Sequence, residues 1–265
     1  MNEKLSFLFN TKILDMKRKL LFIILIAGII VISCQQKKIA ESPLTVFQTN
    51  KGEAGTALEI KFLAGKYHNH PTFSFWVEDM EGNYIETIYV TQYLAKGIYG
   101  HGSLGAGKWD SKPGPAERPS TLPYWLHKRN VLSDGKTLLP SPESPIPDAI
   151  TGATPPDDFI LETVIKKPVP ERFRLMMEIN QTWDWNEYWN NGLHPDDINY
   201  NISCQPALVY SVEVDRNQPD KDYYLNPIGH SHYSGLTGEL FTDISTLTTA
   251  KEIVNKVCVR IKNQN

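Results

Sequence analysis

Residues 72–91 read TFSFWVEDMEGNYIETIYVT. Within residues 72–77 the aromatics alternate, and residues 84–91 form a second run of β-branched and aromatic residues. Alternation with a period of two puts every second side chain on one face of an extended strand. Between the runs lie Glu78, Asp79, Met80, Glu81, Gly82 and Asn83, which supply turn chemistry. The stretch reads as a β-hairpin whose connection is too long for a tight turn.

Working outward, residues 57–63 (ALEIKFL) alternate like a half-buried strand. Residues 159–166 (FILETVIK), 173–180 (FRLMMEIN), 207–214 (ALVYSVEV) and 257–261 (VCVRI) read the same way. Residues 97–119 are rich in Gly and Pro and read as loop. Ser120 is placed to cap a short helix running to Val131, with Pro123 in its first turn and Leu122, Trp125, Leu126 and Arg129 on one face. Residues 133–157 read as loop again. Six of the 18 prolines fall between Pro140 and Pro156, which excludes a central strand or helix there. A late helix is expected over residues 248–255. About seven short strands with Pro/Gly connections predict an all-β chain, an antiparallel sandwich of immunoglobulin-like type with one or two short helices.

The 265 residues suffice for one large domain. Apolar residues make up 41% and charged residues 22%, ordinary for a globular chain. A net charge of -3 gives no electrostatic reason to expect nucleic acid as a partner.

Residues 16–34 read MKRKLLFIILIAGIIVISC. Lys17, Arg18 and Lys19 precede an uncharged stretch, residues 20–33, that is short for a spanning helix, which needs about 20 residues. It has the length of a signal-peptide core. Its end, Val31-Ile32-Ser33-Cys34, resembles the bacterial lipobox, and the resemblance implies cleavage before Cys34 and lipidation of its thiol. The alternative is an uncleaved anchor. The expected organisation is a signal peptide over residues 1–33 (with Met16 as an alternative start), a polar lipidated tether over 34–54, and one sandwich domain over 55–265. Gln35 and Gln36 follow Cys34, so the aspartate that retains lipoproteins at the inner membrane is absent. This favours the outer membrane, with the domain facing the periplasm or the exterior.

Inside the proline-rich loop, Asp148-Ala149-Ile150-Thr151-Gly152-Ala153-Thr154 resembles the acceptor segment of covalently flavinylated bacterial envelope proteins. The resemblance implies that a magnesium-dependent flavin transferase joins FMN to Thr154 through a phosphoester. Asp148 would be the upstream acid, Thr151 the hydroxyl residue, and Gly152 and Ala153 the small pair. Such an acceptor must enter another enzyme's active site, so an exposed loop kept out of the sheet ladder by flanking prolines is expected. Asp followed by Thr-Gly is also ordinary turn chemistry.

From residue 72 to 261 the chain resembles the periplasmic proteins of domain-of-unknown-function family 2271. The likeness is carried by Phe75-Trp76-Val77-Glu78-Asp79 with Gly82, by the 148–154 segment, and by the strand at residues 172–179. It implies a small sandwich associated with flavin transfer or a membrane reductase. Residues 183–201 depart from the short connections such a sandwich would have.

Three further groups stand out. His68 with His70 and His230 with His232 are His-x-His pairs that would share a face on a strand and chelate a metal. Surface histidines are the alternative. Trp183, Trp185 and Trp189 form an aromatic patch that either stacks on a flavin or sugar or covers a core edge. Cys204 and Cys258 either pair or stay free. No Ser-His-Asp order, P-loop or dinucleotide fingerprint stands out. Two functions follow: a lipid-anchored carrier of FMN-borne electrons rather than a stand-alone enzyme, or a non-catalytic module docking a membrane protein or glycan. A metal-binding role for the histidines is a third.

Overall fold

The computed structural model describes residues 44–105, 107–146, 151, 152, 155 and 157–263. Cys34, Asp148, Ala153 and Thr154, with the calls that rest on them, lie outside the described residues.

In chain order the strands are β1 (Thr45–Gln48), β2 (Thr56–Ala64), β3 (Thr72–Glu78), β4 (Tyr84–Thr91), β5 (Ile98–Tyr99), β6 (Gly114–Pro115), β7 (Leu132–Ser133), β8 (Lys136–Thr137), β9 (Thr151–Gly152), β10 (Phe159–Ile165), β11 (Arg172–Asn180), β12 (Leu208–Asp215), β13 (Tyr223–Tyr224), β14 (Asn226–His230) and β15 (Val254–Ile261). Among the described residues three short helices interrupt them: α1 (Gln92–Lys96), α2 (Pro123–Lys128) and α3 (Ile198–Ser203). One sheet has the order β1-β10-β2-β15-β13 and the other β14-β12-β11-β3-β4-β9. The chain is all-β, and these two large sheets form a sandwich, with β5–β6 and β7–β8 as separate two-stranded pairs. The pairings are antiparallel except at two edges, where β1 runs parallel to β10 and β9 parallel to β4.

The hairpin expected over residues 72–91 is β3–β4. Asp79 organises its connection: Oδ1 accepts from the Glu81 and Asn83 amides, and Gly82 takes φ 88°. Phe73, Phe75 and Val77 turn inward and meet Leu58, Ile60 and Phe62 of β2 and Phe159 and Leu161 of β10. Phe62 stacks on Phe159 with centroids 4.9 Å apart, and Phe73 on Tyr89 at 5.3 Å. Each fully buried side chain of this size contributes about 1.5–3 kcal/mol.

The alternate side chains of β3 are buried as well. Trp76 faces outward from the sandwich, into a second apolar cluster with Val90, Leu94, Trp125, Met176 and Val209. Helix α2 belongs to that cluster and covers the outer face of the six-stranded sheet. It is shorter than the expected 120–131 and is not capped by Ser120, whose hydroxyl donates to the Asn199 carbonyl. The free amides of Tyr124 and Trp125 are taken by the Glu178 carboxylate of β11, at 3.2 and 2.7 Å. A helix start needs acceptors for its first amides, and here a strand supplies them from 53 residues away.

Other expectations need correction. Residues 45–48, assigned to the tether, form β1 on the edge of a sheet. The helix expected over 248–255 is a single 3-10 turn, Ala250–Glu252. The β-branched pair Ile253 and Val254 suits the strand that follows. The loop of residues 133–157 holds the β7–β8 hairpin, in which Asp134 and Gly135 both take positive φ as a two-residue turn requires. Helices α1 and α3 and strands β13 and β14 were not expected.

Candidate functional site

The 148–154 segment is framed on both sides. Before it, Ile146 is buried and its amide donates 2.9 Å to the Ala95 carbonyl of α1. After it, Pro155 is buried and its carbonyl lies 3.4 Å from His68 Nε2. Between these anchors the backbone of Thr151 and Gly152 forms β9, in register with Val90 and Thr91. The flanking prolines were expected to hold the whole segment out of the ladder. They do not, because two residues suffice to pair and the prolines fall outside those two. The Thr91 hydroxyl beside this pair is fully buried and has no hydrogen-bond partner among the described residues.

Neither histidine pair lies on one strand face. His70 has φ 51° and sits in a turn, so it shares no strand face with His68. The His68 ring packs on Phe62 at 5.6 Å, and burial lowers its pKa. His230 ends β14 and stacks on Phe241 at 5.3 Å, and His232 stacks on Tyr233 at 4.5 Å. Burial lowers the pKa of both. Among the described residues no group of three or more His, Cys, Asp or Glu is placed to hold a metal. Cys204 and Cys258 are both free, and burial pushes the Cys204 thiol up to about 12, which makes it inert.

The tryptophan patch divides. Trp189 packs against the core, and its indole Nε1 donates to Thr246 Oγ1 at 3.0 Å. Asn186 builds this corner: its amide group donates to Gln205, Thr246 and Thr248, and its Oδ1 accepts from the Tyr188 and Trp189 amides. Trp183 and Trp185 stay exposed, at 42% and 48%. Trp183 has φ 59°, a backbone conformation that a bulky side chain adopts only under strain. Its ring lies 5.7 Å from that of His101.

Elsewhere on the surface lies an open cleft of about 370 Å³. The walls are Gly97 at the end of α1, Ser103, Gly105, Gly107 and Trp109, residues 115–117, residues 141–143, and Ile198, Asn199 and Ile202 of α3. The Ile202 carbonyl accepts from the Trp183 amide. Gly97 caps α1 at φ 61°, and a Cβ there would lie 2.3 Å from the Pro140 carbonyl. Residues 141–143 therefore run close over α1 before Ile146 is pinned and the 148–154 segment begins.

Arg118 lies behind this wall, 7% exposed. Its guanidinium sits 4.2 Å over the Tyr99 ring and 5.2 Å over the ring of Trp109, a cleft residue. Nη2 donates to the His101 carbonyl at 3.1 Å, and Nε has no hydrogen-bond partner among the described residues. No carboxylate among the described residues forms an ion pair with it. Sequence reading missed Arg118, Tyr99 and Trp109. They stand in a Gly/Pro-rich stretch without periodicity, and only the unusual density of aromatics around an Arg there was available as a signal.

Comparison of the chain with family models, with curated proteins and with solved structures finds no match.

Proposed function

We propose that this chain is an envelope lipoprotein, anchored through Cys34, that carries FMN esterified to Thr154 and exchanges electrons with a membrane reductase. The observation that supports it is the framing of the acceptor segment. Thr151 and Gly152 are the outermost strand of their sheet, two residues long, between the anchors at Ile146 and Pro155. A backbone hydrogen bond contributes about 0.5–1.5 kcal/mol net, so a pairing this short opens at small cost to a transferase. Both anchors return the segment to one place afterwards. A bound flavin supplies the one- and two-electron chemistry. This chain's own residues hold the segment and cover the sheet beside it.

The test is intact mass after coexpression with a flavin transferase. Wild-type protein gains one FMN unit and Thr154→Ala gains none. An unmodified wild type, or a gain that persists in the variant, overturns the assignment. The anchor has its own assay: Cys34→Ala moves the protein from the membrane fraction to the soluble fraction, because each buried acyl methylene contributes about 0.8 kcal/mol.

The second reading is a docking module, favoured by the exposure of Trp183 and Trp185. Pull-down from envelope extract decides it. Loss of the captured membrane protein or glycan when Trp183, Trp185 and Trp189 are replaced by Ala supports docking, and equal recovery opposes it.

A further inference from the structure

We propose that the end of the sandwich at which the chain enters β1 docks on a zwitterionic lipid bilayer through the exposed aromatic side chains Tyr67, Trp183, Trp185 and Tyr188. The proposal rests on the anchor at Cys34 put forward above and is independent of the flavin ester.

The argument begins with where the chain enters. Thr45 pairs with Phe159, and Phe159 pairs with Phe62. Both phenylalanine rings stack on Phe73 at the start of β3. The β2–β3 connection (residues 65–71), the β11–β12 connection (181–207) and the β14–β15 connection (231–253) leave from this same end. Hydrogen bonds join them into one cap. The Asn69 amide donates to Gln181 Oε1 at 2.8 Å, the Tyr67 amide to the Glu252 carbonyl at 3.1 Å, and Thr249 Oγ1 to Asp184 Oδ1 at 2.6 Å. Pro155, the anchor after the acceptor segment, meets this cap at His68.

The second line is the contrast between the two ends. Tyr67, Trp183, Trp185, Tyr188 and Leu193 of the cap are each 40–50% exposed. The connections at the opposite end, residues 49–55, 79–83, 166–171 and 216–222, carry none of the large apolar side chains exposed among the described residues. They expose Lys51, Glu53, Glu81, Lys167, Glu171 and Lys221 instead. Tryptophan and tyrosine favour the bilayer–water interface, where the apolar ring meets the tails and its polar atom meets the headgroups. Trp183 takes φ 59° with its amide held by the Ile202 carbonyl, so an unfavourable backbone conformation presents an aromatic ring to the outside instead of burying it.

The third is chain length. Cys34 precedes Leu44, the first residue the structure describes, by ten residues, a reach of at most about 33–36 Å. Strand β11, nine residues long, runs about 30 Å along the sandwich. A lipid on Cys34 lets the cap meet the bilayer without extension, whereas the opposite end could meet it only with the tether stretched nearly straight. Anchoring makes the docking intramolecular, so a weak surface suffices.

Charge decides the lipid class. The three cap connections hold seven Asp or Glu against Lys66 and Lys251, so an anionic surface repels the cap. A zwitterionic headgroup presents an ammonium that aromatic faces attract.

The experiment reconstitutes the protein, expressed in full from Met1, into phosphatidylcholine vesicles free of other proteins and of glycans, with bromine on the acyl chains as a contact quencher of tryptophan fluorescence. Wild type is quenched, and Trp183→Phe with Trp185→Phe loses most of that quenching. A reporter added to that double variant at the opposite end, Glu81→Trp, stays bright. Tyr67→Ser with Tyr188→Ser keeps both native reporters and lowers their quenching by about half. All these positions are exposed, so the variants keep the fold. Replacing part of the phosphatidylcholine by phosphatidylglycerol does not raise the quenching. A protein that stays out of the vesicles overturns the anchor and the docking together. Association without quenching, equal quenching at Glu81→Trp, or quenching that grows with phosphatidylglycerol overturns the docking and leaves the anchor. Quenching that appears only once envelope proteins or glycans are added also overturns it, and gives the surface to the second reading above.

Discussion

Phe173, Leu175, Met177 and Ile179 of β11 point into the interior between the sheets, within the larger apolar cluster. Met176 and Glu178, on the alternate positions, point the other way, toward Trp76, Trp125 and the start of α2. Both faces are buried, so burial does not separate them. The inner face is assembled from strands that pair with one another. The outer face is assembled from segments brought from residues 94–126 and 207–209, and it contains a fully buried carboxylate. One strand thus carries an interior held by apolar packing and a second interior held partly by directed hydrogen bonds.

The largest expected effect breaks the inner face. Phe73 stacks on Phe62, Tyr89 and Phe159, with centroids 5.7, 5.3 and 5.8 Å away. Phe73→Ala leaves a cavity among rings that cannot collapse into it, and costs about 3–5 kcal/mol. The urea midpoint reports the loss. A cost below about 1 kcal/mol would mean that the two sheets are not packed through this stack.

The next effect belongs to the outer face and depends on pH. Burial raises the Glu178 carboxyl from its ordinary 4.5 to about 8. The folded state then keeps a proton that the unfolded chain releases near 4.5, so stability falls as pH rises between those values and is level above about 8. Glu178→Gln removes most of that slope while keeping an acceptor for α2. Glu178→Leu also removes the slope, but it leaves the Tyr124 and Trp125 amides unpaired, at a cost of about 1–3 kcal/mol for each buried group. Melting temperatures at pH 5 and pH 8 for the three proteins separate these terms. If the Leu variant equals wild type at both pH values, the outer face is simply a second apolar core.

The same contrast explains what the sequence makes legible. Strands β2, β3, β4, β10, β11, β12 and β15 announce themselves because their inward residues recur every second position. Glu178 interrupts an otherwise apolar run, and nothing local reveals that its partners are amides of Tyr124 and Trp125. The helix expected from Ser120 illustrates the limit. Its apolar spacing was read, but a remote carboxylate ends up as its cap. Helix α1 follows β4 directly and has no capping side chain at Thr91. Strand β1 lies in a polar stretch and is held by pairing with β10 and by Phe47, which packs edge-on against Phe159. The cleft was the least legible part. Trp109 and Ile202 meet there from positions 93 residues apart. No periodicity records such a meeting, whereas the acceptor segment could be read because its residues are contiguous.

The smallest effect concerns His68, which belongs to neither face of β11 but closes the end of the sandwich where the acceptor segment leaves. Its ring packs on Phe62, its buried Nδ1 has no hydrogen-bond partner among the described residues, and its Nε2 faces the Pro155 carbonyl. Burial holds its pKa below the ordinary 6.5. The folded state therefore binds fewer protons than the unfolded chain once pH drops toward and below 6.5, and stability is lost as pH falls through that window, opposite in sign to Glu178. His68→Phe keeps a ring on Phe62 and abolishes the titration. Amide exchange at Thr151, Gly152, Asp157 and Asp158, corrected for intrinsic rates, quickens in wild type between pH 7 and pH 5 and stays flat in the variant. The Pro155 contact is what couples this ring to the segment, so acid protonation should loosen these residues before it touches the Phe73 stack. Exchange that rises equally in both proteins would show that the anchor after the segment is Pro155 packing alone, and that His68 only fills space.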